Sequence, residues 1–236
     1  MGRIIRRLIG ASLLGALLGA AAVMWFYPAL AGAACPACFG LRRAAPGIYA
    51  EATIPAADRA QLVADVAAAK TGVAAYFGDF SAASRILACQ SAACDRALGG
   101  RGAKAVTYSL GVYTVIRVAP GGLNRTILTH ELAHAEFHRR IGLWRQVSGQ
   151  VPAWFDEGLA VIVSDDPAYL APGTGLARCR AHASGPLPES PFDWAPLAAR
   201  RPNLYAESAC AVLGWMATQD GQHGLLAAIA SGQSLP

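Results

Sequence analysis

The apolar and polar positions divide the chain into an uncharged N-terminal run and an amphipathic body. Residues 8–34 contain no charged side chain. Because about 20 apolar residues span the hydrocarbon core of a bilayer, this run is long enough to cross a membrane as a single transmembrane helix. We therefore expect an N-terminal anchor or signal with its juxtamembrane segment over residues 1–43, followed by one folded domain over residues 44–236.

Helical periodicity marks most of the body. Apolar positions recur at helical spacing over residues 57–77, with charged residues between them. Asn124 can cap a helix that runs to about Ile141 and stops at Gly142. Three further helices are predicted, over residues 152–164, 204–218 and 222–229.

Strand signals come before most of these helices. Residues 85–89 form one candidate, and residues 106–118, rich in β-branched and aromatic side chains, read as one or two strands. Prolines and glycines over residues 165–203 predict an irregular surface segment. Strands followed by helices indicate an α+β fold rather than a doubly wound sheet.

The positive charge of the chain is concentrated near its N-terminus. Arg3, Arg6, Arg7, Arg42 and Arg43 precede the first acidic residue and account for the net charge of +5. The neutral body has no electrostatic footprint for nucleic acid, which excludes that class of partner.

The three arginines before the uncharged run predict its orientation. By the positive-inside rule the N-terminus is cytoplasmic, and residues 44–236 lie on the periplasmic or extracellular side. The alternative is a cleaved signal peptide, since residues 31–33 resemble a small-residue cleavage site. Both interpretations carry the body across the membrane.

The cysteine count agrees with an oxidising compartment. The chain has 6 cysteines, an even number typical of disulfide-bonded exported proteins. Two close pairs suggest disulfides between Cys35 and Cys38 and between Cys89 and Cys94, which leaves Cys179 and Cys210. The spacing of Cys35 and Cys38 also occurs in redox motifs, but no βαβ pattern surrounds it.

The chemistry-bearing motif is His130-Glu131-Leu132-Ala133-His134, an HExxH sequence in the middle of a predicted helix. Residues four apart share one helix face, so two imidazoles can converge on one metal ion. Glu131 lies one residue around the helix and can reach a metal-activated water as general base. The competing interpretation is a polar helix that happens to contain histidines.

A zinc site needs a third protein ligand. His138 continues the i+4 series, but a straight helix places it about two turns from His130, too far to share one ion. The remaining candidate is Glu157, in the segment WFDEGLA. His182 and His223 are isolated and are expected at the surface.

HELAH followed by WFDEGLA resembles the gluzincin metallopeptidases, in particular their peptidase MA-like domains. The resemblance covers roughly residues 86–231 and implies a zincin-like fold. It implies His130, His134 and Glu157 as zinc ligands and Glu131 as the base. Tyr205, near the start of a later helix, matches a tyrosine that stabilises the oxyanion.

One position departs from the family pattern. Thermolysin-type gluzincins have an aspartate four residues after the glutamate ligand, where it supports a histidine; this chain has Val161 there. Asp156, Asp165 or a backbone carbonyl can take over that role.

Two functions follow as expectations. The first is a membrane-anchored zinc metallopeptidase that hydrolyses peptide bonds of a peptide or protein substrate outside the cytoplasm. The second is a non-catalytic envelope binding or scaffold module that retains the fold. The intact Glu131 favours the first, because a structural metal site needs no base and prefers four protein ligands.

Overall fold

Five short strands form one mixed sheet in the computed structural model, which describes residues 2–236. The spatial order is β1-β2-β3-β5-β4; β2, β3 and β5 run parallel, and β1 and β4 are antiparallel edge strands. The bounds are β1 Leu41–Ala45, β2 Ile48–Glu51, β3 Ala83–Ala88, β4 Ala105–Leu110 and β5 Tyr113–Val118.

Nine helices are present in the described part of the chain. They are α1 Gly2–Phe26, α2 Pro28–Ala34, α3 Ala56–Phe77, α4 Ala92–Ala97, α5 Arg125–Val147, α6 Ala153–Ser164, α7 Pro191–Ala198, α8 Leu204–Ala217 and α9 Gly221–Ser231. Helices α3, α5, α6 and α8 pack successively against one another, and α5 also lies against β3, β4 and β5.

The two faces of the sheet bury different layers because successive side chains of a strand point to opposite faces. Ile86 and Ala88 of β3 belong to the main core with the helical layer, whereas Leu87 between them packs with α2 in a smaller core. The main core also contains the inner faces of α3, α5, α6 and α8. The sheet therefore supports α5 on one side and the N-terminal segment on the other.

The uncharged N-terminal run is bent rather than continuous, contrary to the expectation of one transmembrane helix. Within residues 2–236 no single helix is long and apolar enough to span a membrane; Ser12–Phe26 and Pro28–Ala34 meet that requirement only as a pair bent by 112°. The break follows from Pro28, which disfavours helical backbone at the preceding Tyr27.

The α+β class is confirmed, and most predicted elements are present near their expected bounds. Asn124 caps α5 as predicted, and Gly142 interrupts the helix, with a φ of 77°. The helix resumes for residues 143–147, which the sequence analysis missed.

Three expectations were incomplete. The strands β1 and β2 and the short helix α4 were not predicted. The segment 165–203 is not wholly irregular, because α7 forms within it, capped by the side chain of Ser190 and with Pro191 in its first turn. Pro152 precedes α6 as its N-cap rather than lying inside the helix.

The cysteines follow the predicted pairs in part. Disulfides join Cys35 to Cys38 and Cys89 to Cys94. Cys179 and Cys210 are free thiols, so the third pair suggested by the sequence is not formed. Burial, together with the hydrogen-bonded thiol of Cys210, raises the pKa of Cys179 to about 12.

Candidate metal centre

The HExxH motif lies in the buried middle of α5. The helix starts where the Asn124 side chain accepts a hydrogen bond from the Ile127 amide at 3.0 Å, which satisfies one of the free donors of the first turn. Four residues apart, His130 and His134 lie on the same face of this helix, as the spacing predicted.

The side chains of His130, His134 and Glu157 converge on one point, and we call them the ligand cluster. The Nε2 atoms of the two histidines are 3.1 Å apart. Glu157 Oε2 lies 3.3 Å from His130 Nε2 and 3.7 Å from His134 Nε2. The three residues that the resemblance implies as zinc ligands are therefore brought together, and they could hold a metal ion.

These distances match a metal site. Around a tetrahedral ion with bonds of about 2.0–2.2 Å, neighbouring ligand atoms lie about 3.3–3.5 Å apart. The three measured separations bracket that value. Two imidazole nitrogens and one carboxylate oxygen are also a donor set that zinc accepts in catalytic sites.

Helix α6, which carries Glu157, packs against α5 and closely on α8. A Cβ added at Gly158 would lie 2.5 Å from the Ser208 carbonyl oxygen and 2.9 Å from a methyl group of Val212. Only glycine permits this approach of the two helices. The residue after Glu157 thus sets how closely α6 can approach α8.

A second group of side chains, His134, His138 and Asp156, lies behind the first, and we call it the support cluster. Asp156 bridges the histidines: its Oδ1 is 2.7 Å from His134 Nδ1 and its Oδ2 is 2.7 Å from His138 Nε2. The Ser109 hydroxyl lies 2.7 Å from His138 Nδ1. In its neutral form, with the Nδ1 proton donated to Asp156, His134 would direct the Nε2 lone pair at the ligand cluster.

The two carboxylates are stabilised in their charged form. Burial opposes ionisation of Glu157, yet hydrogen bonds from His130 and His134 lower its pKa to about 2. Burial likewise opposes the charge on Asp156, but His134 and His138 lower its pKa far below the ordinary value. Burial by itself would lower the pKa of His134, and the charge and hydrogen bond of Asp156, with Glu157, raise it well above 6.5.

The candidate base Glu131 is held by the edge strand of the sheet. It is buried, and the Thr107 hydroxyl of β4 donates to its Oε2 at 2.6 Å. Thr107 and Ser109 are alternate residues of β4, so both side chains face α5. The other carboxylate oxygen of Glu131 is not engaged by this hydroxyl.

Tyr205 lies beside the ligand cluster, near the start of α8. Its ring is 6.1 Å from that of His130, edge to face, and stacks on Tyr169 at 5.0 Å. Trp194 packs against it from α7 at 5.1 Å. Burial and the charge of Glu157 raise the pKa of Tyr205, so its phenol stays protonated and able to donate a hydrogen bond.

The structure resolves the question of which acid supports a histidine. Asp156 does so, whereas Asp165 ends α6 with an exposed side chain that pairs with Arg178. Val161 is fully buried in the core. His182 and His223 are exposed, as expected.

Comparison of the chain with protein-family models, curated proteins and solved structures found no match in any of the three. The assignment of a candidate metal site therefore rests on the positions of these residues alone.

Three residues at the site were not assigned there from the sequence. Thr107, Ser109 and Tyr169 reach it through sheet register and a loop contact, neither of which leaves a local pattern. Alternation places Thr107 and Ser109 on one face of β4, but only the packing of α5 on that face makes the hydroxyls relevant.

Proposed function

We propose that the chain is a zinc-dependent peptidase, gluzincin-like in its ligand set, that hydrolyses peptide bonds outside the cytoplasm. The observation that carries the proposal is the convergence of His130, His134 and Glu157 at ligand-to-ligand distances. Glu131 follows His130 in the chain, within the same HExxH motif. Three protein ligands leave a fourth position for water or substrate, as in catalytic zinc sites.

Each neighbouring side chain has a role in hydrolysis. His130, His134 and Glu157 would hold the zinc ion, which when bound would supply Lewis acidity for a water molecule and a carbonyl group. Glu131 accepts the proton of the attacking water and passes it to the leaving amine. Tyr205 donates a hydrogen bond to the oxyanion that forms on the scissile carbonyl.

Two further groups hold this machinery in place. Asp156 fixes the ring orientation and tautomer of His134, which keeps the Nε2 lone pair directed at the ion. The Thr107 hydroxyl holds one oxygen of Glu131 and leaves the other for the proton transfer. Both contacts restrict the side chains before substrate arrives, which lowers the cost of reaching the reactive geometry.

The compartment is a separate part of the proposal. Residues 8–34 attach the chain to a membrane, and the arginines before them keep the N-terminus cytoplasmic. The disulfides of Cys35 with Cys38 and of Cys89 with Cys94 support an oxidising location for the body.

The test measures metal content and hydrolysis on the same preparation of the full chain. We expect the purified protein to retain zinc and to cleave members of a peptide library. Glu131→Gln should retain the metal and lose at least about 10²-fold in rate, because it removes the general base without removing a ligand. Removal of zinc by a chelator and its return should abolish and restore cleavage.

Two results would contradict the proposal. Equal cleavage by the wild type and by Glu131→Gln would show that the activity comes from elsewhere. A chain that binds zinc but cleaves no peptide would favour the non-catalytic scaffold instead.

A further inference from the structure

The short helical turn after Gly142 exposes apolar side chains and directs polar side chains toward the protein. Leu143, Trp144 and Val147 are 48%, 75% and 66% exposed. Arg145 and Gln146, on the same turn, point inward to the Gln233 carbonyl and to His138. A helix that faces water has the opposite arrangement, with its apolar side against the protein.

The hairpin between β4 and β5 extends this apolar surface. Leu110, Val112 and Tyr113 are 53%, 70% and 36% exposed at its tip. The hairpin meets the helical turn where a Cβ added at Gly111 would lie 3.6 Å from that of Leu143. We call the six exposed side chains the hairpin patch: Leu110, Val112, Tyr113, Leu143, Trp144 and Val147.

The hairpin patch continues into the N-terminal helices. A cavity of about 410 Å³ lies between the hairpin, which contributes Leu110 and Tyr113, and the helices α1 and α2. Val23, Met24 and Leu30 form the helical wall of this cavity. The patch and the most apolar segment of the chain therefore form one surface.

We propose that the hairpin patch rests in the interfacial layer of a lipid bilayer, beside α1 and α2. Exposed apolar side chains that contact one another mark an interaction surface. Its continuity with the uncharged residues 8–34 points to lipid rather than to a protein partner. Tryptophan and tyrosine also favour the membrane interface. The proposal rests on the membrane attachment within the proposed function and not on peptidase activity.

The patch adds a second membrane contact to the N-terminal one. The same turn that exposes Trp144 bonds His138 through Gln146, and the hairpin continues into the strand that holds Glu131. The edge strand beside the metal centre is thereby placed close to the membrane surface.

Trp144 is the reporter for the test. The full chain is incorporated into nanodiscs of phosphatidylcholine and phosphatidylglycerol, with and without bromine on the acyl chains. The chain has 5 tryptophans, so the difference in emission between the wild type and Trp144→Phe isolates this one. We expect the difference emission to be quenched by brominated lipid and protected from aqueous iodide.

Phe192 provides the matched control. It is 85% exposed on α7, whose packing partners are α6 and α8. In the double variant Trp144→Phe with Phe192→Trp, the added emission should be quenched by iodide and insensitive to brominated lipid. Circular dichroism checks that each variant is folded.

The remaining outcomes overturn the proposal in different ways. Difference emission that iodide quenches and brominated lipid does not would place the patch in water. Protection from both quenchers would show that protein covers it. A chain that fails to enter nanodiscs would overturn membrane attachment as well, whereas zinc content and peptide cleavage report separately on the peptidase.

Discussion

The ligand cluster and the support cluster are made of similar parts and do different things. Each has two histidines four residues apart on α5 and one acid from α6, and His134 belongs to both. In the support cluster, the Asp156 oxygens pair with ring nitrogens at 2.7 Å, so its polar groups are satisfied. In the ligand cluster three potential ligand atoms face one another at 3.1–3.7 Å around a common point.

The difference arises from two successive residues of α6. Asp156 and Glu157 leave the helix in different directions, and one reaches behind His134 while the other reaches its metal-facing side. The spacing of the histidines alone therefore does not distinguish a candidate ligand from a supporting residue. The two are distinguished by the atom that each ring nitrogen contacts.

The difference between the two clusters is tested most directly by removing one side chain from each. Glu157→Ala should reduce metal content and abolish hydrolysis, because the ligand cluster loses its only carboxylate. His138→Ala should keep metal stoichiometry near that of the wild type, because His138 contacts Asp156 and Ser109 instead. The measurement is metal per chain after dialysis against a weak chelator, with circular dichroism to exclude unfolding.

If His138→Ala loses the metal and Glu157→Ala retains it, the ligand assignment is wrong. The support cluster would then be the true metal site.

The role of the phenol beside the ligand cluster is tested at Tyr205. Tyr205→Phe keeps the ring that packs on Tyr169 and removes the hydroxyl, so turnover should fall by about 10–10³-fold. Metal content should not change, since the phenol is not assigned as a ligand. Tyr169→Phe is the matched control, because it removes a neighbouring phenol. If Tyr169→Phe lowers turnover by this amount and Tyr205→Phe does not lower it, Tyr169 is the oxyanion donor instead.

The link between the clusters is tested at Asp156. Asp156→Asn keeps the shape but cannot accept from both histidines through two oxygens, so zinc affinity should fall about 10–100-fold. Asp165→Asn makes the same chemical change at an exposed carboxylate on the same helix and should leave affinity unchanged. Competition with a metal-sensitive dye measures the zinc affinity of both variants. If Asp156→Asn binds zinc as tightly as the wild type, Asp156 does not orient His134.

The smallest expected effect concerns the base. Thr107→Val removes the hydroxyl that donates to Glu131 and should lower turnover about tenfold, the scale of one hydrogen bond to a charged group. Thr107→Ser retains the hydroxyl and should restore most of the rate. When Thr107→Val is added to Glu131→Gln, turnover should not fall further. A further tenfold loss in this double variant would mean that Thr107 does not act through Glu131.

The sequence predicted the features that depend on interactions within one or two helical turns. The motif at His130 and His134, the cap at Asn124 and the interruption at Gly142 each use a residue type whose chemistry acts within one or two helical turns. Glu157 was the remaining candidate for the third ligand and was also implied by the resemblance, and the structure brings it to the two histidines.

The remaining features depend on tertiary contacts. Strand β1 has the sequence Leu-Arg-Arg-Ala-Ala, which lacks clear alternation, and it exists because it pairs with β2. Helix α7 contains Pro196, which as a helix breaker argues against the element that forms. The choice of Asp156 over Asp165 required knowing which α6 carboxylate points at α5.

Gly158 has a consequence for how the site tolerates change. The approach of α6 to α8 is closest where the backbone of Gly158 meets the Ser208 carbonyl, beside a methyl group of Val212. A backbone contact has no rotamers with which to absorb a shift, so any larger residue at 158 must move a whole helix. Because Glu157 is on one of these helices and Tyr205 on the other, the gap between ligand and phenol behaves as a fixed dimension of the scaffold. Substitutions elsewhere in α8 can retune the surroundings of the phenol, whereas a side chain at position 158 would push α6 and α8 apart.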